Sequence, residues 1–240
     1  MLKPLFFAIT VLVMKTLFLQ FREDKVVAQH EQKCFLKHIN LKVQSRNIFM
    51  DEFDFLGKND FTHIILGGSG EFSISDKNKK SKYWKKVEKI IPFLEREIKN
   101  NTNILGVCLG HQLLAFLLGS EVKSLLNQKE VGTFRIYLTL EGKKDPLFYN
   151  LPKSFLVQEG HKDSVLKLPK EATLLAKGKK CKIQSFRFKK AAGIQFHPEL
   201  EIEDINFRLS LYPDYAKKNK QPKIKETPFA FKIFENFYGI

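Results

Sequence analysis

Apolar runs alternate with helix-like patterns along the first half of the chain. Short runs rich in β-branched and aromatic residues predict buried strands, and apolar residues at three-to-four spacing predict amphipathic helices. The order β-α-β-β-α-β-α is typical of a mostly parallel sheet with helices on both faces. The strands are expected at residues 15–20, 41–49, 62–68 and 103–108, and the helices at 25–38, 81–99 and 111–118.

The second half of the chain has a different pattern. Several short strand-like runs follow one another, which indicates an antiparallel or mixed extension of the same sheet. A polar break at residues 213–227 precedes an apolar-aromatic final helix, expected at 229–237. Pro92 is expected to kink the helix that contains it. The short strands are expected at residues 133–140, 154–158, 172–177, 181–188 and 192–196.

The chain therefore belongs to the α/β class, and 240 residues suffice for one such domain with a real core. We expect residues 14–240 to form that domain and residues 1–13 to be an N-terminal extension or an overlong start. The apolar run at 4–14 is too short to cross a bilayer as a helix, so stable membrane insertion is not expected. A cytoplasmic location is expected.

Charge and cysteine content narrow the function classes. The formal net charge is +15, but only six of the 41 basic residues are Arg, and the lysines are scattered. A Lys-rich solvated surface is the interpretation we favour, and nucleic-acid binding is not expected. Cys34, Cys108 and Cys181 are an odd number without a C-x-x-C pair, which speaks against a disulfide framework or a zinc ribbon.

The segment Gly106-Val107-Cys108-Leu109-Gly110-His111-Gln112 carries the strongest chemical signal. A buried strand ends, the chain turns sharply, and a helix begins, as in a nucleophile elbow with Cys in place of Ser. The helix N-terminus favours a thiolate at Cys108 through its dipole and free N–H groups. The N–H of Leu109 is then a donor to a developing oxyanion. A buried structural Cys is the alternative for this motif alone, and His111 is interpreted as a packed or capping residue.

Two further segments fit the same chemistry. Residues 193–199 read G-I-Q-F-H-P-E after a short strand, so His197 is a candidate general base that Glu199 would orient. Side chains two residues apart lie on one side of an extended segment. Residues 66–70 read L-G-G-S-G at the end of a strand, where backbone N–H groups can approach a ligand. Each segment alone is compatible with an ordinary loop or turn.

Together these segments resemble the class I (triad) glutamine amidotransferases, over about residues 15–199, and the free-standing GMP-synthetase-like branch in particular. The resemblance implies a three-layer, flavodoxin-like fold and cleavage of the side-chain amide of glutamine through a Cys thioester, giving glutamate and ammonia. It assigns catalysis to Cys108, His197 and Glu199. It implies an oxyanion hole at Gly68 and Leu109, and substrate contacts at Gly70, Gln112, His161 and Asp163.

The same resemblance leaves the partner and the substrate open. The chain has no S-G-G-x-D-S motif and no Walker loop, so it cannot activate an ammonia acceptor with ATP by itself. The acceptor then lies on another chain, in a separate synthetase, or there is none. A stand-alone γ-glutamyl peptide hydrolase with the same triad and a catalytically silent interaction protein are the alternatives. No metal or other cofactor is expected, since no ligand cluster has suitable spacing.

Overall fold

The computed structural model describes residues 14–39, 41–51, 61–75, 81–212 and 222–239. The expectation for residues 1–13 lies outside this range, as does part of the polar break at 213–227. The strands are β1 (Thr16–Gln20), β2 (Val43–Asn47), β3 (His63–Leu66), β4 (Asn103–Val107), β5 (Val122–Ser124), β6 (Glu130–Leu138), β7 (Ser154–His161), β8 (Asp163–Val165), β9 (Thr173–Gly178), β10 (Ser185–Phe188) and β11 (Ala191–Ile194). The helices are α1 (Lys25–Leu36), α2 (Lys82–Lys99), α3 (Leu109–Leu117), α4 (Ile202–Leu211) and α5 (Lys232–Tyr238).

One nine-stranded sheet organises the described residues, in the order β2-β1-β3-β4-β11-β10-β9-β6-β7. The pairings from β2 to β11 are parallel, and those from β11 to β7 are antiparallel. This confirms the α/β class and the antiparallel extension. The five strands predicted for this part of the chain correspond to β6, β7, β9, β10 and β11, and the antiparallel pairings among them are half of the pairings in this sheet.

Helices cover both faces of the sheet, as expected for three layers. Successive residues of β1 point to opposite faces: Leu17 and Leu19 join the cluster that packs α2 and α3, whereas Phe18 joins the cluster that packs α1 and α5. All five residues of β1 are buried, which is the pattern of a strand covered on both sides. β4 and β11 lie side by side in the middle of this sheet, so their carboxyl ends open at one edge.

The structure differs from the sequence-based expectations at several elements. Pro92 lies on the exposed side of α2, which runs as one helix from Lys82 to Lys99, and the expected kink stays a prediction. β10 begins at Ser185 instead of residue 181, since the carbonyl of Cys181 accepts a bond from the N–H of Gly178 in a turn. α4 was not predicted. Its apolar pattern is weak, and a capping box between Glu201 and Asp204 fixes its start.

None of the helices within the described ranges combines the length and the apolar character that crossing a bilayer demands.

Candidate functional site

Cys108 sits at the turn between β4 and α3. Its backbone has φ 52° and ψ −101°, a conformation that non-glycine residues rarely adopt. Such strain costs on the order of 1–3 kcal/mol and persists only where the surroundings enforce it. The N–H of Cys108 donates to the carbonyl of Ile194 at 2.9 Å, and its own carbonyl accepts from Gln112 at 3.1 Å. Cys108 is therefore held at a nucleophile elbow, as the sequence motif predicted.

Two glycines make this turn sterically feasible. A Cβ atom on Gly106 would lie 2.4 Å from the carbonyl oxygen of Gly110. A Cβ on Gly110 would lie 2.3 Å from the carbonyl oxygen of Leu66 on the neighbouring strand. Both distances are well below van der Waals contact, so the elbow and β3 can approach only because these side chains are absent.

His197 and Glu199 form a buried pair just after β11. The Nδ1 of His197 lies 2.7 Å from Oε1 of Glu199. The backbone N–H of His197 donates to the backbone carbonyl of Gln158 on β7 at 2.9 Å, which anchors the segment. Burial alone would lower the pKa of His197, but the Glu199 carboxylate and the Cys108 side chain raise it to about 10. The ring is therefore an imidazolium in the resting site at neutral pH.

The structure brings Cys108 and His197 together over the glycine loop. A Cβ built on Gly68 would lie 3.1 Å from Cε1 of His197 and 3.7 Å from Cβ of Cys108. The interaction between the two side chains also contributes to the raised pKa of His197. The three residues of the expected triad thus form one cluster.

The N–H groups of the glycine loop are occupied. The N–H of Gly68, the expected oxyanion donor, instead donates to Oε1 of Glu31 at 3.3 Å. The N–H of Gly70 donates to Oε2 of Glu71 at 2.9 Å. Glu31 itself is held by Arg22, with Nη2 at 2.7 Å. In contrast, the backbone N–H of Leu109 lies in the first turn of α3, where N–H groups have no carbonyl acceptor within the helix.

A cavity of about 240 Å³ opens beside Cys108. Its lining includes the expected substrate-contacting residues Gly70, Gln112, His161 and Asp163, together with Leu109.

Hydrogen bonds fix these side chains to one another. The Nε2 of Gln112 donates to the carbonyl of Asp163 at 3.0 Å, and the Nδ1 of His161 donates to the same carbonyl at 2.9 Å. The hydroxyl of Ser73 donates to the Asp163 carboxylate. The wall of the cavity is thus cross-linked between α3, β7 and β8.

His111 is a packed residue, as expected. It is fully buried, its ring lies 5.0 Å from that of Phe186, and burial lowers its pKa to about 3. A Cβ on Gly193 would lie 2.6 Å from His111 Nδ1. His111 therefore packs against Phe186 and Gly193 beside the elbow and does not line the cavity.

A second cavity, of about 60 Å³, lies on the His197 side of the site. Sequence reasoning did not single out three of its charged or titratable residues, which come from β1–α1, β7 and α4: Arg22, Glu159 and Arg208. No local motif marks them, because the fold alone brings them to one place.

Two groups of described residues have the geometry to hold a metal ion. They are His30, Cys34 and Asp204, and Glu130, His161 and Cys181. Both are assembled by the fold from distant segments, whereas the expectation of no metal rests on spacing along the sequence. That expectation stays a prediction.

The similarity of this chain to known proteins agrees with the geometry of the site. The family model of glutamine amidotransferase class-I matches residues 29–206, which is most of the chain. The chain belongs to the class I glutamine amidotransferase family.

Among its relatives are archaeal proteins named as one component of a glutamine-hydrolyzing GMP synthase. The protein from Methanocaldococcus jannaschii is 34% identical over 48% of this chain and 60% of that protein. The protein from Methanosphaera stadtmanae is 36% identical over 57% of this chain and 60% of that protein. The chain thus spans about three fifths of the length of these curated relatives.

Two solved structures show the same fold. A glutamine amidotransferase from Thermotoga maritima superposes with a TM-score of 0.70 at 22% identity, covering 94% of this chain and 90% of that one. A glutamine amidotransferase from Methylobacillus flagellatus gives a TM-score of 0.72 at 15% identity, covering 95% of each chain. The flavodoxin-like, three-layer architecture expected from the resemblance is confirmed.

Proposed function

We propose that this protein hydrolyses the side-chain amide of glutamine through a thioester on Cys108. The observation that carries the proposal is the strained elbow that presents Cys108 to the buried His197–Glu199 pair beside a cavity. A structural cysteine needs neither the strained backbone nor a charged histidine next to it.

The reaction follows from these positions. Cys108 Sγ attacks the amide carbon, and His197 gives its proton to the departing ammonia. Water then hydrolyses the thioester to glutamate, with His197 taking the proton of the water. Glu199 holds the ring and stabilises its charge from 2.7 Å.

The oxyanion hole of this mechanism uses the N–H groups of Leu109 and Gly68. The Leu109 donor stands at the N-terminus of α3, where the helix dipole also favours negative charge. The Gly68 donor must exchange the Glu31 carboxylate for the oxyanion. We therefore propose that the hole is incomplete at rest and that basal turnover is slow.

The first cavity supplies the glutamine site. Gly70, Gln112, His161 and Asp163 lie along its wall, and their polar groups suit the α-amino and α-carboxylate groups of the substrate. None of these four is proposed to take part in bond breaking.

The names of the relatives support a partner for this chain. Their names describe one component of a GMP synthase that hydrolyses glutamine. We propose that ammonia from this chain is used by a synthetase on another chain. A cytoplasmic location fits this role and stays a prediction.

We also propose that residues 14–240 form one domain. The hydroxyl of Tyr238 in α5 donates to Oγ1 of Thr16 in β1 at 3.1 Å, so the last helix packs on the first strand. Phe234 of the same helix packs against Phe35 of α1.

The test is glutamate release from glutamine by the wild type and by Cys108→Ala. We expect the variant to lose at least about four orders of magnitude in rate, as for other covalent nucleophiles. Cys34→Ala, which removes a cysteine from α1, is the matched control and should retain turnover. Unchanged turnover in Cys108→Ala would exclude the mechanism. If the folded wild type neither releases glutamate nor forms a thioester that can be trapped, the result would favour a catalytically silent interaction protein.

A further inference from the structure

A buried cluster of three side chains with metal-binding atoms lies beside the first cavity. Glu130 is at the start of β6, His161 at the end of β7, and Cys181 in the connection between β9 and β10. All three are buried, and one ligand atom of each lies within 4.8 Å of those of the other two. His161 also lines the first cavity, which gives an ion from solvent a route to the cluster.

His161 is held in the orientation that a metal ligand needs. Its Nδ1 lies 2.9 Å from the backbone carbonyl oxygen of Asp163, and a carbonyl only accepts, so Nδ1 carries a proton and donates it. In the neutral ring Nε2 then has a free lone pair. This Nε2 is buried and has no hydrogen-bond partner among the residues that the structure describes. Metal-bound histidines are oriented in the same way, by a hydrogen bond from the second ring nitrogen.

The distances around Nε2 of His161 fit tetrahedral coordination. Metal–ligand bonds of about 2.0–2.3 Å place the ligand atoms of a tetrahedral zinc ion roughly 3.3–3.8 Å apart. Oε2 of Glu130 and Oε2 of Glu159 each lie 3.5 Å from this Nε2. The Nε2 of Gln184 donates to the same Glu130 oxygen at 2.8 Å, and ligating carboxylates are commonly held by such a bond. The thiol of Cys181 has to move by about 1 Å at most to join the set.

The charges of the three side chains favour a divalent cation. Burial raises the pKa of the Cys181 thiol, and the nearby Glu159 and Glu130 raise it further. A metal ion reverses this effect, because it binds Cys as the thiolate. A Glu130 carboxylate, a Cys181 thiolate and a neutral His161 together carry two negative charges, which one divalent cation neutralises. The buried cluster then holds no uncompensated charge.

The second group with metal-binding geometry has its histidine in the wrong state. Nδ1 of His30 accepts a hydrogen bond from Nε of Arg208 at 2.9 Å. The proton of the neutral ring is therefore on Nε2, the nitrogen that lies 3.3 Å from Oδ1 of Asp204. A protonated nitrogen has no lone pair for a metal ion, so this group on α1 and α4 is better explained as a hydrogen-bonded network.

We propose that Glu130, His161 and Cys181 bind one Zn²⁺ ion, with Glu159 beside the fourth coordination position. Thiolate and imidazole ligands select zinc over Mg²⁺ and Ca²⁺, which prefer oxygen. The ion is a structural brace: it holds His161, whose Nδ1 shares the Asp163 carbonyl with Gln112 in the wall of the first cavity. This proposal departs from the expectation of no metal, which rests on spacing along the sequence.

The test first removes the competing thiols. Cys34→Ala combined with Cys108→Ala leaves Cys181 as the only cysteine of the chain and takes the thiol out of the reacting centre. We expect this double variant to bind one Co²⁺ per chain with a thiolate-to-cobalt absorption band, and Zn²⁺ to displace the cobalt. Each of the two substitutions is a matched control, because it removes a buried cysteine and should leave the ion bound.

Adding Cys181→Ser to the double variant removes the sulfur ligand. The cobalt band should disappear, and zinc affinity, measured by competition with a chromophoric chelator, should fall at least about 100-fold, because changes around the ligands alone cost 10- to 100-fold. If this variant does not fold, Glu130→Gln in the double variant should give the same loss of zinc affinity. The cobalt spectrum of the double variant itself needs no change at the site.

Three outcomes overturn the proposal. Absence of bound ion in both the wild type and the double variant at micromolar free Zn²⁺ would leave His161 paired with Glu130 alone. Retention of zinc with unchanged affinity after Cys181→Ser would place the ion elsewhere. Loss of the ion on Cys34→Ala alone would assign it to the group on α1 and α4. Glutamine turnover is not a readout in any of these measurements, so they are independent of the proposed function.

Discussion

Two walls of different construction meet at Cys108. The elbow wall is residues 106–111, a continuous segment held by close backbone approach at Gly106 and Gly110. The charged wall is the set opposite, drawn from distant segments and held by buried ionisable groups: Arg22, Glu31, Glu159, His197, Glu199 and Arg208. The first depends on shape, which pH does not change, and the second on charge, which pH does change.

The largest expected effect is on the rate of glutamine turnover, and it compares variants of the charged wall with Cys108→Ala on the elbow wall. His197→Ala should lower glutamine turnover about as much as Cys108→Ala, because His197 is the residue that gives its proton to the leaving nitrogen in the proposed mechanism. Glu199→Gln should lower it less, by up to about 10,000-fold, because the amide still reaches the ring but carries no charge and can hold the wrong tautomer. Steady-state glutamate release measures both. Full activity in His197→Ala would make the charged wall irrelevant to chemistry.

The two walls also differ in how far the sequence predicts them. The elbow motif, the H-P-E segment and the strand-helix alternation are local patterns, and each placed its residues correctly. The charged wall depends on pairs such as Arg22–Glu31 and on contacts between α4 and His30, which no local pattern encodes. The occupied N–H of Gly68 has the same origin, because Glu31 lies 37 residues away along the chain.

A smaller effect is the pH dependence of the free energy of unfolding, which only the charged wall should show. The pKa of His197 is raised from its ordinary value of 6.5 to about 10 in the folded state. A raised pKa stabilises the fold fully below pH 6.5, and the stabilisation is lost as pH rises through about 10. The free energy of unfolding should therefore fall between pH 6.5 and 10 by no more than about 5 kcal/mol from this group.

Urea unfolding of the wild type and His197→Gln across this pH range measures the contribution. The difference between the two proteins isolates His197 from the lysines, which also titrate near pH 10. A parallel pH dependence in both would contradict a charged His197 in the resting site.

The smallest expected effect tests the elbow wall by shape alone. Gly110→Ala places a methyl group 2.3 Å from the carbonyl oxygen of Leu66, and the strand and helix must separate to admit it. We expect a loss of about 1–3 kcal/mol in unfolding free energy, as for overpacked cores. Gly160→Ala is the matched control, since a Cβ there meets nothing within 4 Å, and its stability should stay near that of the wild type. Urea unfolding at about pH 7 and about pH 9.5 should give the same loss for Gly110→Ala, because steric overlap does not titrate. A loss that changes with pH would show that the elbow wall also depends on charge, and the distinction between the two walls would fail.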